Sequence, residues 1–135
     1  MIERTFVIIK PDGFAAGQVG NVLARYEKAG MRILAMELRT IEPEFADLHY
    51  AEHIGRDYYL PLRAFMTEGP LVAVVLEGTD AIATVRRING ATDPTQAEEG
   101  TIRAELAESA RRNVVHASDS PESASAEIAL WFPGL

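Results

Sequence analysis

The chain contains no cysteine among its 135 residues, which excludes a disulfide framework and any zinc site built from thiolates. It also lacks an apolar run long enough to span a bilayer. Its start, Met1-Ile2-Glu3-Arg4, has neither the basic region nor the long apolar region of a signal peptide. From these absences we expect a cytoplasmic protein that has no membrane partner.

Basic residues are few, because 13 Lys and Arg stand against 20 Asp and Glu and give a formal net charge of −7. Since affinity for nucleic acid depends largely on neutralised phosphates, we expect no specific nucleic-acid partner. Any anion that binds must meet a local group of cations, with or without a divalent metal ion. With 47% hydrophobic residues the chain can build a core, and its length predicts one domain over residues 1–135.

Phosphate-binding loops of the usual kinds are also absent. No segment matches G-x-x-x-x-G-K-[ST], and the spacing of Gly13, Gly17 and Gly20 differs from G-x-G-x-x-G. A nucleotide that binds this chain therefore binds in neither the P-loop nor the Rossmann manner.

Apolar runs and segments of helical period alternate along the chain. The runs that predict strands are residues 5–9, 31–38, 71–76 and 113–116. The second strand has apolar side chains on both faces, two short amphipathic helices follow it, and Ser120 is the N-cap of a last helix that ends near Trp131. Residues 10–13 predict a turn, Asp80 caps a helix, and residues 89–100 predict a long loop.

The element order is strand, helix, strand, helical insertion, strand, helix, strand, helix. It matches the β-α-β-β-α-β motif. We therefore predict an α/β (α+β) fold: a ferredoxin-like sandwich, with a four-stranded antiparallel sheet, helices on one face, and a helical insertion between strands 2 and 3. This fold hosts many functions, so the function must be argued from a site.

Residues 113–120 place an imidazole, His116, at the end of an apolar strand and follow it with hydroxyl and carboxylate side chains. A lone histidine in a short chain is more often structural, but a ring at a strand end suits chemistry. Histidine can serve as a covalent nucleophile, and its neutral form is abundant at pH 7. A carboxylate further along, such as Glu127, is suited to hold the ring in one tautomer.

Cationic and polar side chains also collect at predicted strand ends and loops. They are Lys10, Arg86, Arg87, Thr92, Arg103 and Asn113. Lysine offers a compact positive charge and arginine a planar fork, and both pair with phosphate oxygens. Taken singly, Lys10 is better explained as a solvated charge at a strand end. Arg86 and Arg87 also fit the outer face of an exposed helix, and Thr92 also fits a turn. Tyr58 and Tyr59 fit a base-stacking role and a core role equally well.

A rival pattern is His49-Tyr50-Ala51-Glu52-His53, which matches the inverted zincin motif H-x-x-E-H. On one helix the two histidines would share a face. A catalytic zinc site normally has a third protein ligand, and so short a pattern arises easily by chance. We therefore favour an amphipathic helix with partly exposed histidines and predict no metal ligand among the side chains.

Taken together, these motifs resemble those of the nucleoside diphosphate kinase family over essentially the whole chain. The matching segments are residues 3–6, 10–13, 49–50, 69–70, 90–94, 100–103, 113–120, 122–124 and 130–132. The resemblance implies ping-pong transfer of the γ-phosphoryl group of a nucleoside triphosphate, typically ATP, to a nucleoside diphosphate. A phosphohistidine at His116 would be the intermediate.

The resemblance also implies the roles of other residues. Ser118 and Glu127 would orient His116, and Lys10 and Tyr50 would complete the catalytic set. The implied nucleotide-binding residues are Lys10, Tyr58, Leu62, Arg86, Thr92, Arg103 and Asn113. Mg²⁺ would be held mainly through the nucleotide phosphates, and the chain would form a homo-oligomer, a hexamer or alternatively a tetramer.

Several positions depart from the family pattern, among them the stretch Ala104-Glu105-Leu106 and the added charge of Arg111-Arg112. Ala117 replaces the glycine common after the nucleophile, Ala104 replaces the glycine after Arg103, and Tyr58 stands where a phenylalanine is usual. Loss of glycine narrows the backbone conformations available. An alternative function is therefore a catalytically impaired binding or scaffold protein on the same fold.

Overall fold

The computed structural model describes all residues from Met1 to Leu135. Its sheet has four antiparallel strands: β1 (Ile2–Ile9), β2 (Arg32–Arg39), β3 (Leu71–Thr79) and β4 (Val115–Ala117). Their order across the sheet is β2-β3-β1-β4, which is the order that the ferredoxin-like motif requires. The predicted fold class is therefore confirmed, although β4 begins two residues later than predicted.

Seven helices surround the sheet. They are α1 (Pro11–Ala15), α2 (Val19–Lys28), α3 (Pro43–His49), α4 (Tyr59–Met66), α5 (Ala81–Asn89), α6 (Ile102–Leu106) and α7 (Pro121–Trp131). Single turns of 3₁₀-helix lie at Ala51–His53 and Pro94–Gln96. The predicted helical insertion between the second and third strands is thus α3, the first 3₁₀ turn and α4. None of the helices is both long and apolar enough to cross a bilayer.

Both faces of the sheet are buried, which explains the unbroken apolar run in β1. Phe6 and Ile8 join a core with α3, α4 and α7, while Val7 and Ile9 join a second core with α2 and α5. All four side chains are completely buried. The two crossover helices, α2 and α5, lie on one face of the sheet as predicted. The insertion and α7 cover the other face, so the prediction that helices lie on one face only was wrong.

The strand β2 differs from its sequence prediction. It pairs only with β3 and therefore forms an edge of the sheet. Its side chains Met36 and Leu38 remain 53% and 58% exposed. The apolar residues predicted on both faces are present, but Ile33, Leu34 and Ala35 are only partly buried against the two cores.

Two local predictions were wrong for reasons visible in the backbone. Residues 10–13 do not form a simple turn, because Pro11 takes the first position of α1, where its missing N–H is not needed. Asp80 precedes α5 in a left-handed conformation and its side chain makes no cap. Instead, Glu3 of β1 accepts a hydrogen bond from the backbone N–H of Ile82 at 2.9 Å.

The α7 helix starts as the sequence predicts. Ser120 accepts a hydrogen bond from the backbone N–H of Ser123, and the Ser123 hydroxyl accepts one from the backbone N–H of Ser120, both at 3.1 Å. This reciprocal capping box satisfies two donors that the helix itself leaves unpaired. It fixes the direction in which α7 leaves β4.

We expect Ser120→Ala to lower the free energy of unfolding by about 1 kcal/mol, because an N-cap hydrogen bond is lost. Urea unfolding measures this change. Ser125→Ala is the matched control, since Ser125 is exposed on the same helix, and its effect should stay within about 0.5 kcal/mol. Equal losses in the two variants would contradict the capping role.

Candidate functional site

A cleft of about 990 Å³ lies where β1 and β4 end and the insertion begins. The predicted site residues that line it are Lys10, Tyr50, Tyr58, Leu62, Arg86, Thr92, Arg103, Asn113, His116 and Glu127. Of the residues that the resemblance implies, only Ser118 lies outside this lining, and the further candidate cation Arg87 does not line it either. Ser118 is buried behind the cleft and reaches it through Glu127.

His116 lies at the middle of β4, opposite Ile8 of β1. Its Nε2 is 3.0 Å from Oε2 of Glu127, which α7 presents to the strand. The other oxygen of that carboxylate accepts a hydrogen bond from the Ser118 hydroxyl at 2.5 Å. The His116 side chain keeps 23% of its surface exposed, so the ring is held on one side and open on the other.

The protonation of this pair follows from its partners. Burial alone would raise the pKa of Glu127, but hydrogen bonds from His116 and Ser118 and nearby charge outweigh it and hold that pKa below its usual value. The carboxylate is therefore ionised at neutral pH and can only accept hydrogen bonds. Nε2 of His116 then carries the proton in the neutral ring. Nδ1 keeps its lone pair and has no hydrogen-bond partner in the chain.

A strained turn precedes His116. Val114 has a φ of +75°, which is unfavourable for a β-branched residue. The backbone N–H of Val115 donates to the Asn113 carbonyl at 2.8 Å and closes a γ-turn around Val114. The Lys10 N–H donates to the Val114 carbonyl at 2.7 Å. A Cβ at Gly13 would lie 2.9 Å from a Val114 methyl group, so only glycine fits this close approach.

Lys10 is a buried cation that follows β1. Its Nζ donates to Oδ1 of Asn113 at 2.8 Å, and no carboxylate lies within salt-bridge distance. Burial, assisted by Arg103 and opposed by Asp12, lowers the pKa of Lys10 to about 8. The ammonium group is thus still mainly charged at pH 7, and it has lost much of its hydration without gaining a counter-ion. Such a group favours a bound anion.

The cation Arg103 lies on α6. Its guanidinium donates to the carbonyls of Gly90 at 2.9 Å and Val115 at 2.6 Å. Burial lowers its pKa to about 10, so it stays charged at neutral pH. Arg86, in the last turn of α5, is exposed beside it. The two guanidinium groups and Lys10 form the local group of cations that the acidic composition requires.

The departures at Ala104 and Ala117 do not distort the backbone. Ala104 lies inside α6 and Ala117 inside β4. The only non-glycine residues with positive φ are Asp80 and Val114. Neither alanine therefore occupies a backbone conformation that needs glycine. The backbone at these two positions gives no support to the alternative of a catalytically impaired protein.

The two neighbouring tyrosines separate in the structure. Tyr58 is 45% exposed at the cleft, and its hydroxyl lies 2.6 Å from Nδ1 of His53. Tyr59 is buried in the core, and its hydroxyl donates to Asp47 at 2.7 Å. Leu62 lies half-buried on α4 within the same cleft lining as Tyr58.

The zincin pattern does not form its expected geometry. The α3 helix ends at His49, and His53 belongs to the following 3₁₀ turn, so the two histidines do not share a helical face. His49 is also not partly exposed, because only 1% of its side chain is accessible. The ring instead lies beside His116 and Glu127, with ligand atoms of the three residues within 4.8 Å of one another.

His49 is the site residue that the sequence reasoning missed. A signal was present, since His49 follows the buried Ala46 by three residues, a spacing that returns a helix to the same face. Its partner Trp131 lies 82 positions away, and nothing in the local pattern indicates that the indole N–H donates to Nδ1 of His49 at 3.0 Å.

Comparison with known proteins identifies relatives over the full length. The family model described as nucleoside diphosphate kinase matches residues 3–135. A nucleoside diphosphate kinase of a Nocardioides species is 56% identical over 135 residues and covers 100% of both chains. That of Mycobacterium tuberculosis is 52% identical over 135 residues and covers 99% of both chains.

Solved structures give the same result. A crystal structure of the Aquifex aeolicus nucleoside diphosphate kinase has a TM-score of 0.96 at 42% identity and covers 99% of this chain and 97% of its own. The enzyme of Encephalitozoon cuniculi, crystallised without ligand, has a TM-score of 0.94 at 32% identity and covers 96% and 88%. With matching sequence, fold and length, the chain belongs to the nucleoside diphosphate kinase family, a family of phosphotransferases.

Proposed function

We propose that the chain transfers the γ-phosphoryl group of a nucleoside triphosphate to a nucleoside diphosphate in two steps, with a phosphohistidine at His116 between them. The observation that carries this proposal is the hydrogen bond between Nε2 of His116 and Glu127. It leaves Nδ1 as the one ring nitrogen with a free lone pair, in a part-exposed side chain at the cleft. A positioned nucleophile of this kind divides one difficult transfer into two easier ones.

In the first step the Nδ1 lone pair attacks the γ-phosphorus. The N–P bond forms while the bond from phosphorus to the bridging oxygen breaks, and the nucleoside diphosphate leaves with that electron pair. The ring of His116 becomes cationic, and the Glu127 carboxylate at 3.0 Å stabilises this charge. In the second step a terminal phosphate oxygen of the acceptor attacks, the N–P bond breaks, and its electrons return to Nδ1.

To catalyse phosphoryl transfer, a protein mainly has to position the reactants and stabilise the charge on the phosphates. Lys10, Arg86 and Arg103 supply positive charge for the phosphates, and Lys10 and Arg103 are held by hydrogen bonds to neighbouring groups. Asn113 fixes the Lys10 ammonium group, and its own amide donates to the carbonyl of Thr92 at 3.2 Å. The hydroxyls of Thr92 and Tyr50 complete the polar lining.

The base end of the cleft supports broad nucleotide specificity. The exposed ring of Tyr58 and the aliphatic side chain of Leu62 offer stacking and apolar contact. Every base has a π-face, so stacking tolerates all of them. We therefore propose that the chain accepts purine and pyrimidine nucleotides alike.

Magnesium fits this site only as a companion of the nucleotide. Mg²⁺ prefers several oxygen ligands and is commonly bound through substrate phosphates. Both oxygens of Glu127 are already engaged by His116 and Ser118, so this carboxylate is not free to hold the ion. Held through the nucleotide phosphates, the ion would neutralise negative charge that develops in phosphoryl transfer.

Incubation with magnesium and γ-labelled ATP should transfer one label to the protein, in an acid-labile and base-stable linkage. His116→Ala should abolish this labelling, because the nucleophile is lost. His53→Ala is the matched control, since it removes the other part-exposed imidazole of the cleft, and it should still be labelled. Labelling that persists in His116→Ala would contradict the proposed nucleophile.

The value of kcat/KM should fall as pH rises through about 8, because Lys10 loses its charge there. Its pKa is lowered to about 8, so the charged form dominates below that pH and is lost above it. ATP and dCDP suit this measurement, since their bases do not ionise in this range. In Lys10→Arg the value should be lower overall but free of this alkaline fall. A fall that remains in that variant would assign it to another group.

We also propose that the chain forms a homo-oligomer, a hexamer or a tetramer. The support is the free edge of β2 with its exposed Met36 and Leu38, because exposed apolar strand edges in native proteins are usually covered. Light scattering should give a mass of six or four times the 14.8 kDa of one chain. A mass of one chain at micromolar concentration would contradict this.

A further inference from the structure

A buried histidine, His49, lies against the proposed nucleophile and has no role in the mechanism above. Its ring packs edge-on to that of His116, with centroids 4.9 Å apart. Only 1% of its side chain is exposed, although the residue belongs to the lining of the cleft. Its Nε2 is a buried polar atom with no hydrogen-bond partner, and such a group in a native structure calls for an explanation.

The tautomer of His49 is set by Trp131. The indole N–H can only donate, and it donates to Nδ1 of His49 at 3.0 Å. Nδ1 therefore holds the lone pair, and the proton of the neutral ring is on Nε2. Burial, together with the charge of His116, lowers the pKa of His49 to about 3 although Glu127 raises it. The ring is thus neutral at ordinary pH.

The Nε2–H of His49 faces the carboxylate that holds His116. The atom nearest to it is Oε2 of Glu127, at 3.9 Å. That separation is too long for a hydrogen bond, but hydrogen bonds in unliganded sites are often long and shorten in the reacting complex. A nitrogen that carries a proton is a donor and not a metal ligand, so the same tautomer opposes a zinc site formed by the three residues.

We propose that His49 is a positioning residue whose Nε2–H closes onto Oε2 of Glu127 when His116 carries the phosphoryl group. This role rests on the proposed phosphohistidine mechanism. With His49 as a second donor to Oε2, the Glu127 carboxylate becomes a weaker base. The proton on Nε2 of His116 therefore stays on that ring. The phosphorylated ring then remains cationic, which makes Nδ1 a better leaving group in the second transfer.

The titratable groups that face His49 have to be counted in any titration. They are His116, Glu127, Lys10 and His53, together with Tyr50, whose ring centroid lies 4.5 Å from that of His49. Lys10 and His53 act on His49 only through their charge and donate nothing to Glu127. Removing the donor on His49 should therefore raise the pKa of Glu127 without altering the nucleotide contacts.

Two substitutions test the roles of the two ring nitrogens of His49 separately. His49→Asn keeps an acceptor near Nδ1 for Trp131 but removes the donor to Glu127. His49→Gln keeps an amide donor near the position of Nε2. We expect kcat to fall about tenfold or more in His49→Asn, the size of one hydrogen bond to a charged group. KM for both nucleotides should stay unchanged, and His49→Gln should recover much of the loss.

A pH profile distinguishes positioning from packing. In His49→Asn the acidic limb of kcat/KM should move up by about one pH unit, because Glu127 is protonated more easily. In His49→Gln the limb should return toward the parent position. Equal losses in the two variants with an unmoved limb, or no loss in either, would overturn the positioning role.

A second variant decides the matter if His49→Asn does not fold. Trp131→Phe keeps an aromatic ring in the core but frees the tautomer of His49, so kcat should fall and the acidic limb should again move up. An unmoved limb in that variant overturns the proposal. Failure of the underlying function is recognised separately, because the parent chain would then form no phosphohistidine at His116.

Discussion

The site depends on one part-buried carboxylate. Glu127 is carried by α7, and its two oxygens join His116 and Ser118 of the β4 segment at 3.0 and 2.5 Å. Burying a carboxylate is unfavourable unless donors surround it, so the helix and the strand must meet in this one geometry for the charge to persist. The capping box at Ser120 supports that geometry, because it directs α7 back across the sheet.

The same segment links the carboxylate to the phosphate-binding cations. The γ-turn at Val114 is strained, and hydrogen bonds from neighbouring residues offset this strain. The backbone N–H of Lys10 donates to the Val114 carbonyl, and the Lys10 ammonium group donates to Asn113 at 2.8 Å. A chain of net charge −7 thereby places the cations Lys10, Arg86 and Arg103 together at one cleft. Anion binding at such a cleft requires a local group of cations and not an overall positive charge.

Local patterns were sufficient to predict much of this arrangement. Apolar runs and helical spacing indicated the four strands, the insertion and the Ser120 cap, because those elements are set by residues close in sequence. Burial of His49 was not predictable in this way, since it depends on Trp131, which lies 82 positions away. Asp80 failed as a cap for a similar reason: Glu3, 79 positions from Ile82, supplies the acceptor. Long-range side-chain partners leave no mark in a local pattern.

The central claim is that Glu127 fixes the proton of His116 on Nε2 and leaves Nδ1 to accept phosphorus. Long-range ¹H–¹⁵N NMR of the imidazole rings tests it directly, with the protein compared before and after reaction with ATP. The structure predicts a proton on Nε2 of His116 in the free protein and phosphorus bonded to Nδ1 in the reacted one. A proton on Nδ1 in the free protein, or phosphorus on Nε2 after reaction, would contradict it.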